Sequence, residues 1–440
     1  MTSAKITIIG GGSYTWGPKF IRDVGITPGL RGSTIVLHDI DPEALFLVYN
    51  FGLQILNKVE KGYLFTLKKT TSLDEALGGA QFVILAITTG GLEAMRRDLE
   101  IPSKYGIYQS VGDTVGPGGL ARALRNIPII VSIAKRMESL CPDAWLLNYS
   151  NPMTTLCRAV TKSTHIKTIG LCHEYQDVIE FLLKILHAKP DDLTVRAGGI
   201  NHLVWILDLK IRGQDIFPEI RRLASLLITT GGHVPWIDWT DTSSLADHAL
   251  VKAQLVQIYG ALPAAGDRHI AEFFPDFLTA ETDMGLKHGV RLTTIEERYK
   301  WREEAKSLIE AALRGTYDMK GFVEGTSGEA ANQMIDAFVN QRSYRGMLNL
   351  PNQGQISNLP LGAVVETHGV FDSSGAHPLP VGELPPRIAD IVNRHIYNQE
   401  LIVESALTGD HQLAIKALTN DPLVQKIDKV VNMYWELVNG

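Results

Sequence analysis

AKITIIGGGSYTWGPKFIRDV, residues 4–24, is the stretch that decides the fold. Residues 4–9 form a short β-branched run that stops on Gly10, Gly11, Gly12 and Ser13. A buried parallel strand reads this way. From Trp16 to Val24 the apolar spacing of Phe20, Ile21 and Val24 is helical. Strand, glycine turn and helix in that order open a dinucleotide-binding βαβ unit. There the backbone approaches a pyrophosphate, and the helix amino terminus favours its charge. A full GxGxxG pattern needs glycine at position 15, where this chain has Thr15.

The next strand, residues 34–39, is apolar and ends in Asp39. A carboxylate there accepts from the adenosine ribose hydroxyls and disfavours a 2′-phosphate, which points to NAD rather than NADP. Asp41, ahead of Pro42, is the better N-cap for a helix over 42–60 and leaves Asp39 for the cofactor. Further strands are expected at 81–87, 144–149 and 166–171, with helices at 122–140 and 152–163. The alternation predicts a Rossmann-type, doubly wound parallel α/β sheet over residues 1–197. Ligands sit at the carboxyl ends of such strands. Thr88, Asn148 and Cys172 fall there, and the first two join Gly10–Ser13 and Asp39 as expected cofactor contacts. Beyond residue 198, strand-like stretches (204–211, 361–367) mix with helical ones (247–259, 295–313, 328–340, 385–407, 422–438). This predicts an α+β domain over 198–440. No linker precedes it, so the two halves should share an extensive interface.

Composition narrows the function. The chain has 440 residues, 45% hydrophobic and 20% charged, ordinary for a soluble globular protein. A net charge of −6 argues against a nucleic-acid partner. No apolar run approaches the roughly 20 residues that span a bilayer. The chain enters a strand directly, without the apolar core of a signal peptide. Cys141, Cys157 and Cys172 do not make a disulfide framework, so a reducing cytoplasm is the expected location.

Two motifs carry the chemistry. KTIGLCHE (167–174) presents Cys172, and GGINHLVW (198–205) presents His202. Only a tertiary fold can join them. A lone cysteine is more often a small buried hydrophobe, and a lone histidine a satisfied polar group. As a pair they offer a thiolate and an imidazole, fewer ligands than zinc usually takes. An octahedral ion completed by substrate oxygens and water fits better. The glycine-rich loop 106–119, with Asp113 inside it and Arg122 and Arg125 behind it, reads as a binding loop.

On these motifs the chain resembles glycoside hydrolase family 4, the NAD- and divalent-metal-dependent glycosidases. The likeness covers nearly the whole chain. It rests on the glycine turn, GDTVGPGG (112–119), NYSNP (148–152), LCHE, GINH, and NQGQISNLP (352–360) leading to Val365-Glu366. It implies that Cys172 and His202 bind Mn²⁺ beside a tightly held NAD⁺. It also implies a redox-neutral cleavage, an exception to the two-carboxylate pattern. The sugar is oxidised at C3 and deprotonated at C2, the leaving group is eliminated from C1, water adds, and C3 is re-reduced. By that resemblance Asp267 is the expected C2 base. His269 is its rival, with an unperturbed pKa nearer neutrality. Asp113 or His173 is the acid. Taken alone, Asp267 reads equally as an ion-pair partner or a helix cap. His173 and Asp267 stand where phosphoglycosidase members carry other residues, which implies an unphosphorylated sugar.

The runs IYQSVGDTVGPGG and YGALPAAGDRHIAEFFP look most like the α-galacturonidase branch. That branch implies a substrate pocket in which Arg96, Arg268 and Arg291 meet a carboxylate, with Arg97 near by, and Asn148 meets a hydroxyl. The likeness also implies a homodimer or homotetramer. Rival readings are the α-glucuronidase, α-galactosidase or α-glucosidase branches, a plain NAD-dependent hydroxy-acid dehydrogenase, and a non-catalytic NAD- or sugar-binding regulator.

Overall fold

The structure is a computed structural model that describes residues 3–234, 237 and 249–439. Thirteen strands lie in one sheet. They are β1 (Lys5–Ile9), β2 (Thr34–His38), β3 (Thr66–Thr70), β4 (Phe82–Leu85), β5 (Trp145–Asn148), β6 (Lys167–Gly170), β7 (Leu193–Ile200), β8 (Leu203–Ile211), β9 (Gln214–Asp215), β10 (Leu262–Pro263), β11 (Tyr344–Pro351), β12 (Val364–Asp372) and β13 (Gly375–Pro378). The first six are parallel in the order β3-β2-β1-β4-β5-β6, the usual order of a dinucleotide-binding sheet. β3, TLKKT, is the one strand of that set absent from the expectation. It is an edge strand, so only one face is buried and its lysines guard the open side.

The sheet does not stop at β6. β11 pairs antiparallel with it at Asn349 and Gly170, and β12, β7, β8 and β10 continue from there. The expected division after residue 197 falls inside β7. Helices of the second half then cover both faces of the parallel half. Ile295–Leu313 and Ala331–Val339 share an apolar core with Trp16–Gly25, Pro42–Lys58 and β1. Val403 of Pro386–Thr408 joins the opposite core, with Gly116–Leu140 and Met153–Ser163. The second half thus supplies apolar cover that the first half lacks, which accounts for the missing linker.

Most expected helices are present, with informative shifts. Gly116–Leu140 begins at Gly116, inside the stretch read as a loop. Pro117 suits its first turn. The glycines allow close packing, since a Cβ on Gly119 would lie 2.5 Å from the Thr114 carbonyl carbon. The helix expected over 422–438 is shorter, Val430–Asn439, preceded by a single 3-10 turn. Leu250–Tyr259 lies where a helix over 247–259 was expected; residues 247 and 248 lie outside the described residues. Among the described residues no helix is long and apolar enough to cross a membrane.

Candidate active site

The glycine turn after β1 is built as a phosphate turn must be. Gly10 has φ +87°, and a Cβ there would lie 2.1 Å from the Ala86 carbonyl oxygen. A Cβ on Gly12 would lie 2.8 Å from Asp39 Oδ2. Asp39 accepts from Gly12 N at 2.8 Å and Asp41 N at 3.1 Å, so it ties the end of β2 to the turn. Asp41, as expected, caps the following helix through Glu43 N and Ala44 N. Ser13 Oγ accepts from Trp16 N and closes the next helix start. Thr88 is exposed beyond β4, and its hydroxyl accepts from Arg122 at 3.0 Å. Backbone no side chain fits, a helix start and a carboxylate at the second strand suit a dinucleotide.

Beside this turn three segments converge. The first is the β7–β8 hairpin, whose register pairs Ile200 with Leu203 and leaves Asn201-His202 as the turn. His202 has φ +64°, a left-handed conformation that costs an L-residue about 1–2 kcal/mol. The hairpin thereby aims the imidazole back at the sheet's carboxyl edge. The second is the loop before Gly116. Glu272 Oε1 clamps it, accepting from Val111 N at 2.7 Å and Gly112 N at 2.8 Å. The third is 264–272, laid beside the hairpin by the β10–β8 pairing.

Together they place Asp113, His202 and His269 with ligand atoms all within 4.8 Å of one another. The His202 and His269 rings stack at 3.9 Å and 12°. His269 Nδ1 meets Glu174 Oε1 at 2.5 Å, and Glu174 Oε2 accepts from Gly266 N at 2.9 Å. His269 Nε2 faces Asp113 Oδ1 at 3.7 Å. Asp113 accepts from Asn151 Nδ2 at 3.2 Å and from the Thr114 hydroxyl at 2.7 Å. Cys172 lies against the same hairpin, its sulfur accepting from the Asn201 side chain and the Glu174 amide. The fold therefore brings Cys172 beside the turn that carries His202.

The charges are strongly coupled. Burial opposes ionisation of Asp113, yet the positive charges of His269, Arg122, His202 and Arg298 outweigh it and hold the carboxyl well below its usual range. Glu174 is likewise held low, with burial overcome by His269 and His202. Burial alone would lower His269, but Glu174 and Asp113 raise it to about 9. His202 is pushed down to about 4, by burial first and then by His269. Burial, with the charges of Glu366 and Glu174, pushes the Cys172 thiol up. A positive ion suits this cluster of anions and imidazoles. Asn151 Oδ1, Asn201 Oδ1 and His269 Nε2 are buried without a hydrogen-bond partner and ring the same place.

The other expected site residues each have partners within the protein. Asp267 is fully buried, but it accepts from Lys252 Nζ at 2.5 Å and from Val251 N at 2.8 Å. Its carboxylate serves a buried ion pair and the start of the Leu250–Tyr259 helix. Asn148 donates to Ser150 O and Cys157 Sγ and accepts from Ser150 N, so its amide folds the NYSNP turn. Arg96 is tied to Glu93, Glu100 and Glu296 across two surface helices. Arg291 is half-exposed and paired with Glu297. Both make surface ion pairs in this structure. Arg268 stays near the site, donating to Thr293 Oγ1 at 3.1 Å. His173 is part-exposed against Glu329 at 3.1 Å, and that hydrogen bond raises it to about 9.

Other groups were missed. Glu174 stands in the LCHE motif itself, Asn151 in NYSNP, and Thr114 in GDTVGPGG. Arg298 reaches the cluster from the Ile295–Leu313 helix, with Nη2 donating to Val111 O at 3.1 Å and a buried Nε without a partner. No local signal distinguishes it from the other cations of that helix.

Comparison with known proteins agrees with this geometry. The profile described as family 4 glycosyl hydrolase matches residues 5–188, and that of the family's C-terminal domain matches residues 197–424. An alpha-galacturonidase of Bacillus subtilis is 35% identical over 96% of this chain and 93% of its own length. An alpha-galactosidase of the same organism is 33% identical over 95% of this chain and 93% of its own length. A 6-phospho-beta glucosidase structure from Thermotoga maritima, solved with manganese, NAD⁺ and glucose-6-phosphate, has a TM-score of 0.81 at 22% identity, covering 99% and 98% of the two chains, and shares the fold.

Proposed function

The chain belongs to the family 4 glycosyl hydrolases, and from that premise we propose that it cleaves α-linked uronides, α-D-galacturonides first among them. The observation that carries the reading is the packing of Asp113, His202 and His269 in one place, with Cys172 against the same hairpin, together with a glycine turn whose shape suits a dinucleotide. The galacturonide preference rests on the 35% identical alpha-galacturonidases. The 33% identical alpha-galactosidase supports a second reading, the neutral sugar.

Gly10, Gly11, Gly12, Ser13 and Asp39 would hold NAD⁺, and Cys172 and His202, with Asp113, a divalent cation such as Mn²⁺. When bound, they supply a reversible two-electron oxidant and a concentrated positive charge. The chain's own residues then position and move protons. His269, fixed through Nδ1 by Glu174, presents Nε2 toward the cluster, and in its uncharged form it takes the C2 proton, the task expected of Asp267. Its charged form is favoured by Glu174 and Asp113, so a proton once taken is retained and can be returned, and the uncharged form that takes it gains population as pH rises toward 9. Asp113 is held ionised and suits a cation better than a leaving oxygen. The acid is His173, which keeps its proton near neutrality. Arg298, with its unpartnered Nε, takes the carboxylate role expected of Arg96 and Arg291.

The test is hydrolysis of p-nitrophenyl α-D-galacturonide, α-D-glucuronide and α-D-galactoside with Mn²⁺, NAD⁺ and a thiol reductant, each omitted in turn. Cleavage of the galacturonide that needs the additives is the expected result. Turnover of the galactoside alone selects the second reading. Accumulation of NADH without cleavage refutes both.

A further inference from the structure

The Thr114 hydroxyl lies between two groups of the cluster, 2.7 Å from Asp113 Oδ1 and 2.8 Å from His202 Nδ1. It carries one proton. A carboxylate only accepts, so the contact to Asp113 requires that proton. Thr114 must then accept from His202, which places hydrogen on Nδ1 and leaves the Nε2 lone pair bare. The reverse assignment sets two acceptors 2.7 Å apart with no proton between them. His202 is 4% exposed, so water does not compete for Nδ1.

The arrangement is rigid around this hydroxyl. Glu272 clamps the preceding amides at Val111 and Gly112. Gly119 packs so closely that a Cβ would lie 2.5 Å from the Thr114 carbonyl carbon. The His269 ring covers one face of His202 at 3.9 Å. Thr114 therefore does not adapt to the imidazole; the imidazole adapts to it.

We propose that Thr114 is a positioning residue, its hydroxyl linking the Asp113 carboxylate to His202 Nδ1 and so presenting His202 Nε2, unprotonated and correctly turned, to a divalent cation. The inference rests on the cation reading of the site given above. Partners of this kind around a ligating histidine fix its tautomer, and losing them typically costs about 10–100-fold in metal affinity.

The test uses the full chain as Thr114→Val, which keeps the shape and removes the hydroxyl, and as Thr114→Ser, which keeps it. Mn²⁺ binding to metal-free protein is titrated by the electron paramagnetic resonance of free Mn²⁺. The tautomer of His202 is read from histidine ¹⁵N shifts. Expected are an about 10–100-fold weaker Mn²⁺ affinity for the valine variant, near wild-type affinity for the serine variant, and an Nδ1–H tautomer lost only with valine. NAD⁺ affinity should be equal in all three, which separates this effect from misfolding. Unchanged Mn²⁺ affinity in Thr114→Val, equal weakening by serine and valine, or an Nε2–H tautomer in the wild type overturns the proposal. A wild type that binds no Mn²⁺ at all overturns the cation reading itself.

Discussion

Replacing Asp267 by asparagine separates a structural carboxylate from a catalytic one. The Asp267 side chain is 0% exposed and its partner Lys252 only 5%. Lys252 Nζ donates to Asp267 at 2.5 Å and to Ala265 O at 2.9 Å. Asparagine keeps an oxygen for the Val251 amide but leaves the ammonium buried without a counter-charge. Breaking one side of such a pair costs about 3–5 kcal/mol. Unfolding entropy near 2.1 cal/mol/K per residue gives a chain of this length about 0.9 kcal/mol/K, so Tm should fall by about 3–5 °C. Removing the stranded charge as well, in Lys252→Met with Asp267→Asn, should restore most of that loss. Turnover at 25 °C, per folded enzyme, should stay within about threefold of wild type on the proposed role of His269 as the base. The assay pairs a calorimetric melt with hydrolysis of the fastest p-nitrophenyl glycoside and with deuterium exchange at C2. A base at Asp267 gives the opposite pattern: an unchanged melt, with turnover and exchange reduced about 10²–10⁴-fold. That outcome would refute the structural reading.

His269→Gln should lower kcat by about 10²–10⁴-fold and abolish C2 exchange while Mn²⁺-free NAD⁺ binding persists; exchange at the wild-type rate would return the base role elsewhere. Arg298→Gln should reduce kcat/KM for a galacturonide by about 10–100-fold relative to a galactoside, as loss of a charge-assisted pair requires; equal losses on both would remove it from the carboxylate pocket. Glu329→Gln tests the His173 pairing through pH. His173 is raised from 6.5 to about 9, so the stabilisation it contributes is complete below pH 6.5 and fades as pH rises through 9. The Tm deficit of the variant should therefore be largest near pH 6 and small by pH 10, and a deficit independent of pH would assign it to packing alone.

The sequence by itself determined the parallel half of this protein. Residues 4–24 carry β1, the glycine turn and the first helix in an order that depends on local chemistry alone, and Asp39 follows from the strand before it. Buried strands such as β4 and β5 have no polar interruption, so their runs are legible; edge strand β3, half-solvated and rich in lysine, is not. The motifs around Cys172 and His202 were likewise legible, because a thiol and an imidazole are written in the residues whatever the fold. What only the tertiary structure decided is where side chains point. Asp267 and His269 are two residues apart, yet one turns to Lys252 and the other to Glu174 and the cluster. Arg96, Arg291 and Arg298 are equivalent as letters, and packing leaves only Arg298 beside Asp113. Nor does a strand pattern reveal that β11 pairs with β6 and carries the sheet across both halves. Direction and pairing are set by contacts distant in the chain, such as Glu272 with Val111 and Thr114 with His202, and no local spacing encodes them.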